Sequence, residues 1–401
     1  MTSTRPTVAE VIRSGLDEFL ERYGADLTPE QRRALDDLTA CRTAALGGHV
    51  LGCPECGHQQ IAYNSCGNRH CPTCQATEAA RWLDVRAAEL LPVPYFHLVF
   101  TLPDALNPIT LANRRVVYDL LLRCAAETIL EVAADPEHLG AQSGVLAVLH
   151  TWGQTLQFHP HVHCVVPGGG LSPDGTHWVG SRPDFFLPVR VLSRVFRGKF
   201  LAGLRAARAK GELRFAADAF EQAVSAAVRT DWVVYAKPPF GGPEAVLKYL
   251  ARYTHRAAIS NSRVLGFEDG EVRIRYHDYA HGNRKRVLTL SVVEFIRRLL
   301  LHVLPTGLQR IRHYGILANR HRRAKLALCR ELLGSAVGTD PEVPDQAREA
   351  RQTPSAIIPT RVCPVCGAGR MIVIRELPPG ADAVAIGSSR GSDVCVVIDS
   401  S

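Results

Sequence analysis

Apolar positions along this chain change their period several times, and each change predicts an element. Over 8–24, Ala9, Val11, Ile12, Leu16, Phe19 and Leu20 recur at helical spacing. Thr28-Pro29-Glu30-Gln31 opens a second helix reaching about Arg42: Thr28 is the N-cap, Pro29 sits in the first turn, and Gln31 is placed to close a capping box. A third helix is expected over 76–92 and a long one from Asn107-Pro108 to Ala134. Three short apolar runs, Tyr95–Leu102, Gly144–Trp152 and Phe158–Val166, read as strands. Gly168-Gly169-Gly170 reads as a loop and not a phosphate cradle, because no helix with Lys-Ser/Thr follows. Residues 182–228 alternate between loop and helix, and Asp231–Tyr235 is a further strand. A helix from about Pro243 to Arg256 follows, then strands over Ala258–Phe267, Glu271–Asp278 and Arg286–Leu290, a helix over Val292–Val303 and a basic helix start at Asn319–Lys325.

The chain has 401 residues, enough for two or three domains with a sizeable core. Its net charge of +8 is unevenly spread: residues 251–330 hold 17 Lys+Arg against 5 Asp+Glu, a surplus of 12 that leaves the remainder at −4. A positive field confined to one segment points to a polyanionic partner, nucleic acid first. Within it, Arg312, Arg320, Arg322, Arg323 and Lys325 are candidate phosphate contacts, and Tyr276, Tyr279 and Tyr314 are candidates for stacking on unpaired bases. No apolar signal segment follows Met1 and no run of about 18 apolar residues exists, so the expectation is a cytoplasmic protein with no membrane span.

Of the 12 cysteines, six fall in three Cys-x-x-Cys pairs, which in a cytosolic setting means metal and not disulfides. Cys53-Pro54-Glu55-Cys56-Gly57 and Cys71-Pro72-Thr73-Cys74 are expected to complete one Cys₄ structural zinc site. Cys41, His49, Cys66 and His70 lie nearby, as part of a second site or as supporting groups. Cys363-Pro364-Val365-Cys366-Gly367 is half a zinc ribbon, expected to be degenerate because only Cys395 follows it.

His159, His161 and His163 alternate along the third strand, so they share one face, while Cys164 and Val166 point into a core. Imidazoles on one strand face can hold a divalent ion with positions left open for substrate. His161 and His163 are the first candidates; His159, or a side chain from a neighbouring strand such as His97, is the third. On the helix after Pro243, Tyr249 and Tyr253 are four residues apart and share a face, beside Lys248, Arg252 and Arg256 at the same spacing. Cations beside a phenol lower the cost of the phenolate, which suits attack on a phosphodiester.

In chain order these features resemble the HUH-type single-strand endonucleases. Among them, they are similar to the rolling-circle transposases of bacterial insertion sequences, the insertion-sequence-ninety-one family. The resemblance spans roughly residues 40–330. It rests on Tyr63-Asn64-Ser65-Cys66-Gly67-Asn68-Arg69-His70-Cys71-Pro72-Thr73-Cys74-Gln75, on His159-Pro160-His161-Val162-His163 and on Tyr249-Leu250-Ala251-Arg252-Tyr253-Thr254-His255-Arg256. It implies an α+β fold with a central antiparallel sheet flanked by helices, histidines on a middle strand and tyrosines on a neighbouring helix. It also implies Mg²⁺ or Mn²⁺ at the histidines, beside structural Zn²⁺. The implied reaction is nicking and rejoining of single-stranded DNA at element ends through a 5′-phosphotyrosine, followed by transfer to target DNA. Unwinding would fall to host replication or helicase machinery.

The expected layout is helices over 1–40, a zinc module over 41–92, a catalytic domain over 93–333, a linker over 334–362 and the half ribbon with a flexible tail over 363–401. A replication initiator or relaxase would share the chemistry, but the cysteine module favours the transposase. A zinc-dependent DNA-binding regulator would bind without a covalent adduct. A zinc hydrolase needs a carboxylate base, and no Asp or Glu lies between Phe158 and Asp174.

Overall fold

A computed structural model describes residues 5–87, 89–237, 245–246, 257–334, 361–381 and 395–396. Tyr249, Arg252, Tyr253 and Arg256 of the expected helix, residues 335–360 of the expected linker and most of the expected tail lie outside the described residues.

The described elements follow in chain order: α1 (Val8–Ser14), α2 (Leu16–Tyr23), α3 (Pro29–Ala40), β1 (Gly48–Gly52), β2 (Gln59–Tyr63), α4 (Pro72–Ala87), β3 (Tyr95–Thr101), α5 (Asn107–Ala112), α6 (Arg114–Ala134), β4 (Gly144–Trp152), β5 (Phe158–Pro167), β6 (Gly169–Leu171), β7 (Trp178–Gly180), α7 (Val189–Ala209), α8 (Ala217–Arg229) and β8 (Val234–Lys237). Then come β9 (Val264–Glu268), β10 (Glu271–Asp278), β11 (Arg284–Ser291), α9 (Val292–Leu300), β12 (Ile311–Gly315), α10 (Arg322–Leu332), β13 (Ile372–Leu377) and β14 (Cys395–Val396). The expected capping box at α3 is present, with Thr28 accepting from the Gln31 amide and Gln31 returning a bond to the Thr28 amide. The single helix expected over 8–24 is broken at Gly15. A Cβ there would lie 2.5 Å from Cγ1 of Val292, so glycine is what lets α9 pack this close. The strand expected over 258–267 begins only at Val264. Asn261 is instead committed to side-chain bonds, accepting from the Val8 amide and donating to the Thr73 hydroxyl. Gly169 and Gly170, expected in a loop, enter β6.

The chain forms two compact units, each discontinuous in sequence: 1–77 with 259–300 and 341–401, and 78–258 with 301–340.

The second unit is built on a five-stranded sheet of order β12-β4-β5-β3-β8, antiparallel throughout, with β5 in the middle. The protein is thus α+β, as expected. Alternation sends Val162, Cys164 and Val166 of β5, Phe96, Leu98 and Phe100 of β3 and Ala147 and Leu149 of β4 into one large core with Tyr118 of α6, Phe196 and Phe200 of α7 and Phe220 of α8. Each such side chain contributes about 1.5–3 kcal/mol by leaving water. The other face carries Tyr95, Leu146 and Val165, packed with Leu326 and Cys329 of α10. The histidines lie on this face.

The first unit carries two sheets, β9-β10-β11 and a four-stranded sheet of order β13-β1-β2-β14. The segment expected to be a degenerate half ribbon enters this sheet. β13 pairs antiparallel with β1, and β14 runs parallel to β2. Among the described residues, no helix is long and apolar enough to cross a membrane.

Candidate metal centres

Register decides which histidines meet. His161 on β5 stands opposite His150 on β4, and His163 stands between Val148 of β4 and Val99 of β3. His150, His161 and His163 offer ring nitrogens that all lie within 4.8 Å of one another. The Nε2 atoms of His161 and His163 are 3.1 Å apart. An ion about 2.1 Å from each would subtend roughly 95°, near the right angle between neighbouring ligands of an octahedral ion. The donor set thus fits a divalent cation.

Each ring is held from behind. Nδ1–H of His161 donates to the His159 carbonyl at 2.7 Å, which leaves its Nε2 as a lone pair. Nδ1 of His163 shares a 2.8 Å hydrogen bond with Nε2 of His97. Burial, with Lys237 and His161 adding to it, pushes His97 down to about 3. A neutral His97 can accept from Nδ1–H of His163 and so leave Nε2 of His163 free to coordinate. His150 stacks on Trp152 with centroids 4.5 Å apart. Trp152 in turn lies edge-on to His302, whose Nε2–H donates to the Leu156 carbonyl in the β4–β5 turn.

His159, the candidate third ligand, is not one of the three. The β4–β5 register shifts between His150 and Trp152, so nothing on β4 opposes it as His150 opposes His161. Its ring is half-exposed and lies 3.9 Å from Asp104. His150 completes the group of three ring nitrogens instead, and His97 hydrogen-bonds to His163 from behind. Sequence reasoning did not single out His150; its signal was a polar residue near the end of an otherwise apolar strand.

The cysteines divide differently from the expected Cys53/Cys56/Cys71/Cys74 set. Cys41, Cys66, Cys71 and Cys74 form one group, and Cys53, Cys56, Cys363 and Cys366 form another. Neither His49 nor His70 belongs to either group. In the first, Sγ of Cys41 is 3.8 Å from that of Cys74 and 3.6 Å from that of Cys71, and Cys66 is 3.7 Å from Cys74. These separations match the edge, about 3.8 Å, of a tetrahedron of sulfurs about 2.3 Å from zinc. Thiol hydrogen bonds from Cys41, Cys66 and Cys71 hold Cys74 far below the usual thiol range, while the contact with Cys41 is the main push upward on Cys66 and Cys71.

The candidate DNA contacts also divide. Arg312 is ion-paired with Asp119, and Arg322 with Glu89 at 3.1 Å, so both are engaged within the fold. Arg320 and Arg323 are exposed around the start of α10, with Lys325 half-buried one turn on. Tyr314 packs against the large core, whereas Tyr279 is exposed at the β10–β11 turn.

A histidine-bearing antiparallel sheet accompanied by two tetrathiol groups marks a protein with candidate metal centres, and comparison with known proteins gives its family. Residues 144–325 match a family model described as "Putative transposase", and residues 11–102 match one described as "Transposase zinc-binding domain". The chain is 51% identical over 384 residues to "Putative transposase y4qJ" of Sinorhizobium fredii, covering 93% of this chain and 96% of that protein. It is 29% identical over 299 residues to "Transposase for insertion sequence element IS801" of Pseudomonas savastanoi pv. phaseolicola, covering 71% of this chain and 69% of that protein. No solved structure matches the chain. The chain belongs to the transposases of the insertion-sequence-ninety-one family.

Proposed function

We propose that this transposase nicks and rejoins single-stranded DNA at the ends of its insertion element through a 5′-phosphotyrosine. The observation that carries the reading is the meeting of His150, His161 and His163 on adjacent strands of the central sheet. A Mg²⁺ or Mn²⁺ ion bound there would supply Lewis-acid polarisation of the scissile phosphate. His161 and His163 present Nε2 toward one point because the His159 carbonyl and His97 hold their opposite nitrogens. Tyr249 or Tyr253 attacks phosphorus: the phenol loses its proton, an O–P bond forms, the P–O3′ bond breaks, and the 3′ oxygen leaves as a hydroxyl with a proton from solvent. The phosphotyrosyl bond conserves the energy of the phosphodiester, so a 3′-OH can reverse the step without ATP. Two tyrosines let one hold a cut end while the other cuts again. Arg252, Arg256, Arg320, Arg323 and Lys325 bind phosphates of the element end and the target strand. The reaction takes place in the cytoplasm, on DNA unwound by host replication.

Incubating the protein with single-stranded element ends and Mg²⁺ should give a DNA adduct that survives SDS. It should vanish in Tyr249→Phe/Tyr253→Phe and form about 10³-fold more slowly in His161→Ala. An adduct that persists in the double tyrosine variant sinks the assignment of the nucleophile.

A further inference from the structure

We propose that Cys53, Cys56, Cys363 and Cys366 form a second zinc site, and that its metal holds the C-terminal segment 361–377 onto the N-terminal sheet. Sγ of Cys53 is 3.7 Å from that of Cys366, and Sγ of Cys56 is 3.6 Å from that of Cys363. These are too long for disulfides, and they match a tetrahedral edge of about 3.8 Å around zinc. Four thiolates and no oxygen donor select zinc over harder cations.

The two contributing loops are copies of one shape. Cys53-Pro54-Glu55-Cys56-Gly57 and Cys363-Pro364-Val365-Cys366-Gly367 both end in a glycine with left-handed φ, +73° at Gly57 and +67° at Gly367. In each, that glycine's N–H donates to the carbonyl of the first cysteine, at 2.9 Å and 3.0 Å. In each, the first cysteine's own N–H is also taken up, by His58 O at 2.9 Å and by Gly369 O at 2.7 Å. Gly369 N–H points to Sγ of Cys366 at 3.4 Å, and a Cβ on Gly369 would come within 2.4 Å of Sγ of Cys53. Cys71-Pro72-Thr73-Cys74 lacks this shape; it runs straight into α4 and ends in Gln75. The partner of the first loop is therefore the loop at 363–367, not the nearer pair.

Apolar packing beneath the site is slight. Its cluster contains Leu51, Cys53, Cys363 and Met371, with Ala62 beside them. On β13, Ile372, Val373 and Ile374 are 47%, 45% and 48% exposed. A strand so poorly buried needs the metal to stay docked. The residues of the second unit are thus inserted in sequence between the two halves of one zinc ribbon, which the ion closes. The inference does not depend on the phosphotyrosine reading.

Zinc is counted by elemental analysis of the full chain and of its Cys363→Ser/Cys366→Ser variant. The variant should hold one equivalent less; equal counts overturn the proposal. If the variant does not fold, hydrogen exchange of the wild-type chain during stepwise chelation decides. Exchange in 372–377 should accelerate as the first equivalent leaves, ahead of 158–167. Unchanged exchange in 372–377 after all the zinc has gone overturns it.

Discussion

The histidine centre and the cysteine centres place candidate metals in opposite relations to the fold. Around the histidines, Val162, Cys164 and Val166 anchor β5 from its far face, against three helices, and hydrogen bonds from His97 and His159 aim the rings. That scaffold is packed without help from an ion, as the proposed role of a reagent there requires. Around the cysteines, β1 and β2 are short and their cores hold a handful of side chains. There the ion replaces the missing core. The same chain thus carries a centre that should survive metal removal and centres that should not.

The sharpest way to break this contrast is Cys74→Ser. Structural zinc in small modules contributes roughly 10–16 kcal/mol of apparent binding free energy. The variant should lose zinc and the protection of 48–63 against hydrogen exchange, while 158–167 stays protected. Next in size, His161→Ala should leave the thermal midpoint nearly unchanged but slow adduct formation about 10³-fold, since Lewis-acid stabilisation of several kcal/mol is lost. A large fall in the midpoint would erase the distinction between the centres.

A third effect is of pH. Burial pushes His302 down to about 4, against an unfolded value near 6.5. The unfolded chain therefore takes up the proton first, so this contribution is full above about pH 6.5 and is lost as pH falls toward 4, on the order of 3 kcal/mol. His97, pushed down to about 3, acts in the same direction. Urea midpoints at about pH 7 and about pH 4.5 should differ less in His302→Gln than in the parent. Smallest, His97→Ala should weaken Mn²⁺ binding at the histidines about 10- to 100-fold, measured by titration calorimetry.

Some of this was legible because it is local. Alternation along β5 placed His161 and His163 on one face and Cys164 and Val166 in the core, and Thr28 with Gln31 marked the start of α3. His150 was not legible, because a ligand on β4 meets β5 only through register. Nor were the engagements of Arg312 with Asp119 and Arg322 with Glu89, since a charge run carries no record of its partners. The cysteine pairing was half legible. The repeated Cys-Pro-x-Cys-Gly shape at 53–57 and 363–367 was there to be matched, but nearness in sequence favoured Cys71 and Cys74.

The order of residues by itself determined the kinds of groups present: thiolate pairs suited to zinc, alternating imidazoles, two tyrosines four residues apart and a basic stretch over 251–330. Spacing and periodicity act over a few residues, and those motifs are a few residues long. Only the tertiary structure decided which imidazole became the third of the set and which thiolates share a tetrahedron. Such groups are joined by strand register and by closure of a loop spanning most of the chain. Both are settled by the packing of the whole fold, which no local stretch of sequence contains.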